Sequence, residues 1–312
     1  MNQFEQKIVF MGTPAFAANI LEGLYDAGYN IVAVVSQPDK EVGRKHELKA
    51  SEVKEKALEL GLPVLTPRRI KDEYEEVLSY GPDLIITAAY GQFIPEAVLD
   101  YPEYRCINAH GSLLPKYRGG APIQRAIING EDYTGVSIMY MAKKMDAGEV
   151  LMMRSVPIMI DDTNSTMFSK LSDLALEMLL ELLPHIFRKE VSAVPQNEEE
   201  ATFAYNLDKE IEHISFEDET KKVYDHIRGL LDNPGAYFIC RDKKYKIEKV
   251  FFEKAEETDA GVFRGLEKDY LRVDCTDGFI KIYQIRPEGK NSMDAKAFFN
   301  GNGRNMAGER LG

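Results

Sequence analysis

Apolar runs and helical patterns alternate through the N-terminal part of the chain in the order KIVFMG, PAFAANILEGLYDAG, NIVAVVSQ, a polar loop, SEVKEKALELG, PVLT, RIKDEYEEVLSYG and DLIITAAY. The strand-like runs are almost continuous in Val, Ile and Ala, and each helical pattern ends at a glycine. A strand without polar alternation needs helices above and below it, so the pattern predicts a parallel sheet buried on both faces. Sheets of this kind place their sites at the carboxyl ends of strands. Three irregular stretches fall at such ends: GTPAF after the first strand, AYGQFIP after DLIIT, and HGSLLPKYRGG after CINAH. Neither GxGxxG nor GxxxxGK followed by Ser or Thr occurs, which argues against an ordinary dinucleotide or Walker-type site. Gly12 either brings the backbone close to a ligand or simply makes the turn from strand to helix.

Further along, APIQRAIINGE reads as a short helix, and the turn AKKMDAGEV joins two strands, TGVSIMYM and LMMRSVPIMI. The long amphipathic pattern that follows has Thr163 at its N-cap. The texture then changes. VSAVPQNEEEATFAYNLDKE, about 191–210, has Pro, Asn and a Glu run without sustained periodicity and reads as a linker. After a helix near 217–231 come the short strands GAYFIC, YKIEKVFF, GVFRG, YLRVDC and GFIKIYQI, spaced as in a small β-barrel. A chain of 312 residues exceeds one ordinary core, and it divides here into an α/β domain over 1–205 and a β domain over 206–312.

No apolar run approaches the roughly 18 residues of a membrane span, and MNQFEQKIVF lacks the pattern of a signal peptide. The expectation is a cytoplasmic protein without membrane contact. Cys106, Cys240 and Cys275 lie far apart and form no CxxC pair, so they read as reduced packing residues. The net charge of -12 argues against a broadly basic nucleic-acid binder. It is unevenly spread: residues 1–205 hold 20 Lys+Arg against 30 Asp+Glu, and residues 206–312 hold 19 against 21. Two stretches are locally basic, KEVGRKHELK at 40–49 and RDKKYKIEKVFFEK at 241–254. They are either solvated charges or contacts to a polyanion.

CINAH carries the most specific chemistry. Side chains at i and i+2 of a strand point the same way, so the Asn108 amide and the His110 imidazole can address one atom. Such a pair suits acyl or formyl transfer, in which two donors meet the negative charge growing on a carbonyl oxygen. The imidazole can also relay a proton between the attacking amine and the leaving nitrogen. Asp146, in the turn KKMDAGE, is the carboxylate placed to hold the histidine. Each residue also has an ordinary reading, since an Asn can cap a turn, a lone His can be structural and an Asp before Ala-Gly can form a turn. His46, His185, His213 and His226 show no HxxxH or HxH spacing, and no metal site is expected.

FMGTPAFA, VVSQPDKEVGRK, ITAAYGQFIP, CINAHGSLLPKYRGGAPIQRAIINGE, TGVSIMYMAKKMDAG and EATFAYNL, in this order, closely resemble the methionyl-tRNA formyltransferases, within the wider family of enzymes that use 10-formyltetrahydrofolate. The resemblance implies a Rossmann-like formyltransferase domain followed by an OB-like β-barrel that docks tRNA. It implies 10-formyltetrahydrofolate as formyl donor, initiator methionyl-tRNA as acceptor, no metal and no stable protein partner. It also implies that Asn108, His110 and Asp146 are catalytic, and that Ser112, Leu113, Leu114 and Pro115 form the folate-binding loop. Tyr90, Gly91, Gln92, Phe93 and Ile94 are expected to line the pterin pocket, and Arg44, Lys45, Lys243 and Lys244 to contact tRNA. Sugar-nucleotide formyltransferases and formyltetrahydrofolate hydrolases share NxHxSLLPKYRG. A non-catalytic RNA-binding protein on the same scaffold would not need Asn108, His110 and Asp146. Where the family tends to read NPWP after IRGL, this chain reads LDNP, and it contains no Trp.

Overall fold

The computed structural model describes residues 5–42 and 46–311. The chain divides into two compact units. The first comprises residues up to Pro122, Thr134–Val156 and Phe168–Tyr205; the second takes Ile123–Tyr133, Pro157–Met167 and Asn206 onward.

The first unit begins as the alternation requires: β1 (Lys7–Gly12), α1 (Ala15–Asp26), β2 (Asn30–Val35), β3 (Lys40–Val42), β4 (Glu47–Lys49), α2 (Glu52–Glu59), β5 (Val64–Leu65), α3 (Ile70–Leu78), β6 (Leu84–Ala88), α4 (Glu96–Leu99) and β7 (Cys106–His110). Then come α5 (Pro122–Ile128), β8 (Tyr133–Tyr140), β9 (Val150–Pro157) and α6 (Asn164–Phe187). The sheet order is β5-β2-β1-β6-β7-β8-β9. Ile8, Val9, Phe10 and Met11 of β1 are all fully buried, as a strand covered on both faces must be. From β5 to β7 every pairing is parallel, but β8 runs antiparallel to β7. The connection into β8 contains one helix of 7 residues, only about 10 Å long, and β8 starts back beside the end of β7, with Ser137 opposite His110. The sheet is therefore mixed, where the sequence pattern predicted parallel strands.

Two predicted irregular regions also differ. β3 and β4 form an antiparallel hairpin in place of a plain polar loop. Residues 191–205 are not a free linker. Val194 pairs with Val150, Phe203 pairs with Arg118, and Glu198–Glu200 form a turn of 3-10 helix between them. Polar side chains at both ends of this stretch found partners in the first unit, which no local pattern announces. The Thr163 cap is present, with Oγ1 accepting from the Thr166 amide at 3.4 Å.

The second unit contains α7 (Thr220–Leu230), β10 (Ala236–Cys240), β11 (Lys243–Lys254), β12 (Phe263–Glu267), β13 (Tyr270–Cys275), β14 (Gly278–Pro287), β15 (Met293–Asp294) and α8 (Ala295–Gly301). Its antiparallel sheet, in the order β10-β11-β14-β13-β12 with β15 on β14, surrounds one core that includes Phe216, Ile227, Phe238, Ile247, Val273 and Phe298. The segments it takes from the first half are tied in by buried polar groups. Arg228 donates to the carbonyls of Met159 at 2.9 Å and Asp162 at 2.7 Å, and Tyr224 Oη donates to the carbonyl of Ile160 at 2.9 Å. LDNP needs no indole here: Leu231 is buried, and Asn164 Nδ2 donates to the Asn233 carbonyl at 2.7 Å. Among the described residues no helix is long and apolar enough to cross a membrane.

Candidate active site

Asn108 and His110 occupy the last turns of pleat of β7, at the carboxyl end of the parallel strands. Asn108 lies in register with Thr87 of β6, and the Thr87 hydroxyl donates to Asn108 Oδ1 at 2.8 Å. This bond fixes the amide and leaves Nδ2 as the donor facing out. Sequence reasoning missed Thr87; its signal was a single hydroxyl within the apolar run LIITA.

His110 is 6% exposed. Its Nε2 lies 2.9 Å from the Tyr117 carbonyl oxygen, which can only accept, so Nε2 carries a proton and Nδ1 is the ring nitrogen left without a hydrogen bond. Asp146 Oδ2 is 3.7 Å from Nδ1, too far for a hydrogen bond. The ring is thus approached from both sides: the SLLPKYRGG loop meets Nε2 through the Tyr117 carbonyl, and the Asp146 carboxylate faces Nδ1 at ion-pair distance. Asp146 Oδ2 itself accepts from the Gly119 amide at 2.8 Å. Gly119 has φ +125, and a β carbon there would stand 2.6 Å from the Ala204 carbonyl oxygen, so glycine is required.

The loop after His110 is braced from within. Ser112 is buried, its hydroxyl donates to the Lys116 carbonyl at 2.7 Å, and Ser137 Oγ bridges the Ser112 carbonyl and the Leu114 amide. Leu114 is buried, while Leu113 and Pro115 are half-buried. In AYGQFIP, the Tyr90 ring packs in a core cluster with Val9, Ile85 and Cys106, and Ile94 packs against it. Burial raises the Tyr90 hydroxyl well above its ordinary range, with a smaller push from Glu73. Gln92 is held by the Ile70 amide at 2.8 Å, Gly91 takes φ +90, and Phe93 stands 75% exposed. This segment therefore divides into anchors, Tyr90 and Gln92, and an open face at Phe93. Beneath the site, burial pushes the Cys106 thiol up to about 12, so it is a packing group and no nucleophile.

Of the residues expected to meet tRNA, Arg44 and Lys45 lie outside the described residues. Lys243 and Lys244 begin β11 in the second unit. Lys243 is exposed; Lys244 is half-buried, with Nζ 3.4 Å from the centre of the Tyr237 ring and 3.7 Å from Glu212. Among the described residues no group of His, Cys, Asp and Glu is arranged to hold a metal ion.

A family model described as formyl transferase matches residues 6–183, and one described as formyl transferase, C-terminal domain, matches residues 206–303. A methionyl-tRNA formyltransferase of Enterococcus faecalis is 46% identical, covering 96% of this chain and 97% of its own length. A solved methionyl-tRNA formyltransferase of Clostridium thermocellum, 20% identical, superimposes with a TM-score of 0.57 over 80% of this chain and 94% of that one. HypX from Aquifex aeolicus, solved in complex with tetrahydrofolic acid, is 18% identical with a TM-score of 0.70 over 96% of this chain. This chain spans 48% of that structure.

Proposed function

The chain belongs to the family of methionyl-tRNA formyltransferases and is a formyl transferase, and on that premise we propose that Asn108, His110 and Asp146 move the formyl group of 10-formyltetrahydrofolate to the amino group of methionine on initiator methionyl-tRNA. In this reading residues 1–205 bind the folate and carry out the reaction, and residues 206–312 dock the tRNA. The observation that supports the reading is the pair of polar side chains at the end of β7: Thr87 occupies Asn108 Oδ1 and the Tyr117 carbonyl occupies His110 Nε2, which leaves Nδ2, and Nδ1 facing Asp146 at 3.7 Å, without hydrogen bonds on the same face of the strand.

The folate supplies an activated formyl carbon and a nitrogen leaving group. Asn108 Nδ2 donates to the formyl oxygen as negative charge grows on it, and the protonated His110 Nδ1 is the second donor; one such donor typically contributes about 10² to 10³ in kcat. Asp146 accepts the proton that the attacking amine sheds as its nitrogen bonds to the formyl carbon. His110 releases its Nδ1 proton to N10 as the bond from carbon to N10 breaks. Asp146 then returns a proton to Nδ1, leaving both residues as they began. Net, one proton passes from the amine to N10, and no metal is required. SLLP, with Leu113 and Pro115 half-buried, and the open face at Phe93 are the surfaces offered to the folate.

The test is formylation by the purified protein with 10-formyltetrahydrofolate and, in parallel, charged initiator methionyl-tRNA, amino-sugar nucleotides or no acceptor. Product with methionyl-tRNA alone is expected. Transfer to an amino sugar, or folate turnover without an acceptor, would replace this reading with the sugar-nucleotide or hydrolase alternative.

A further inference from the structure

We propose that Gln196, on the strap formed by residues 191–205, is a positioning residue that sets the place of Asp146 for proton transfer; this rests on the reading of Asp146 given above. The Gly119 amide holds the Asp146 carboxylate, at 2.8 Å from Oδ2, but the main chain of its turn is held from another side. Ala142, Lys143, Lys144 and Met145 are exposed, so their side chains add no buried packing to the turn, and Asp146 has φ +49, in the left-handed region that Asp enters more readily than most non-glycine residues.

That main chain is held by Gln196. Its Nε2 donates to two carbonyls of the turn, Asp146 at 2.8 Å and Gly148 at 2.7 Å, so the amide spans the residue on either side of Ala147. Its Oε1 accepts from Arg118 Nε at 3.0 Å and Nη2 at 2.8 Å. Every hydrogen-bonding position of the amide is thereby used, and its orientation is fixed, because a flipped amide would aim donors at a guanidinium and an acceptor at carbonyls. Arg118 has no exposed surface, and it also donates to Glu198 Oε1 at 2.8 Å, the other oxygen of which pairs with Lys144. Arg118 belongs to the same loop as Tyr117, the partner of His110, and the main chains of strap and loop are bonded: Arg118 donates to Thr202 at 2.9 Å and Ala204 donates to Arg118 at 2.7 Å. Gln196 therefore ties the main chain of the Asp146 turn to the loop that carries Tyr117, beside the Gly119 amide that holds the carboxylate itself, and it does so without touching a reacting atom.

The experiment is a kinetic cycle on the full chain. Gln196→Glu keeps the acceptor for Arg118 and removes both donors to the turn, so kcat for methionyl-tRNA formylation should fall about 10- to 100-fold with both KM values near wild type, the signature of lost alignment. Gln196→Glu combined with Asp146→Ala should be no slower than Asp146→Ala by more than about twofold, because a residue that acts through another has nothing left to act through. Gln196→Ala repeats the cycle; if it fails to fold, the Glu variant carries the cycle by itself. Wild-type kcat in Gln196→Glu, a loss confined to KM, or a full multiplicative loss on top of Asp146→Ala would each overturn the proposal. Failure of the wild-type protein to formylate methionyl-tRNA would instead strike the functional reading, independently of Gln196.

Discussion

The end of β7 and the stretch 191–205 serve one site in opposite ways. At the end of β7 the two side chains proposed to react are two residues apart, and the Tyr117 carbonyl that meets His110 lies only 7 residues on. In 191–205 nothing meets a reacting atom, and the partners are remote: Gln196 reaches Arg118 across 78 positions and the Asp146 carbonyl across 50. The first region supplies chemical groups through local geometry; the second supplies their placement through long-range hydrogen bonds. Alternation of side chains along a strand makes the first kind of role readable from sequence, whereas the second exists only once the chain has folded.

Gly148→Ala should break this comparison most severely. A β carbon at Gly148 would collide with the Tyr140 carbonyl oxygen, so the turn must shift and carry Asp146 with it. We expect kcat to fall by about 10²-fold or more with folate affinity retained, measured by steady-state kinetics and folate titration. A near-normal kcat would mean that the turn does not need its observed position. Thr87→Val acts on the other side of the site, freeing Asn108 Oδ1 and allowing the amide to turn. One hydrogen bond of about 1–1.5 kcal/mol corresponds to roughly a tenfold loss in kcat, which Thr87→Ser should largely avoid.

The same distinction between a free and a held group applies to two neighbouring lysines of β11. Lys243 is exposed, whereas Lys244 is engaged by Tyr237 and Glu212. If β11 meets tRNA phosphates, Lys243→Ala should reduce the slope of log affinity against log salt by about 1, and Lys244→Ala should reduce it less. Equal slopes in both variants and wild type, by filter binding, would remove β11 from the tRNA contact. The smallest effect concerns acid. Arg118 first, and Lys144 second, hold the Glu198 carboxyl down to about 2. A carboxyl depressed in the folded state stabilises above its unfolded value and loses that contribution as pH falls toward the folded one. Denaturant unfolding should therefore show a small stability advantage of wild type over Glu198→Gln at pH 7 that fades between about pH 4.5 and 2.

Much of the molecule is legible beforehand for reasons these residues make plain. Continuous Val and Ile in KIVFM and LIITA require covered strands, and the structure buries them. Thr163 caps its helix as its position suggests. The antiparallel β8 is less legible, because direction depends on how the connection returns and not on the strand's own pattern. VSAVPQNEEEATFAY looks unstructured since its polar residues bond to distant groups instead of repeating with a local period. The same limit applies within the site. Asn108, His110 and Asp146 can be picked out, but the Tyr117 carbonyl 2.9 Å from Nε2, opposite Asp146 at 3.7 Å from Nδ1, appears only in the folded chain.

A joint action of Asn108 and His110 on one developing charge is the core of the proposed reaction. Its most direct test is the single-turnover rate of formyl transfer at saturating 10-formyltetrahydrofolate and methionyl-tRNA for wild type, Asn108→Ala and His110→Ala, beside folate affinity for each. A loss of about 10² to 10³ is expected for Asn108→Ala and at least as much for His110→Ala, with folate binding near wild type. Single-turnover rates within a few-fold of wild type, or losses wholly explained by weaker folate binding, would contradict it.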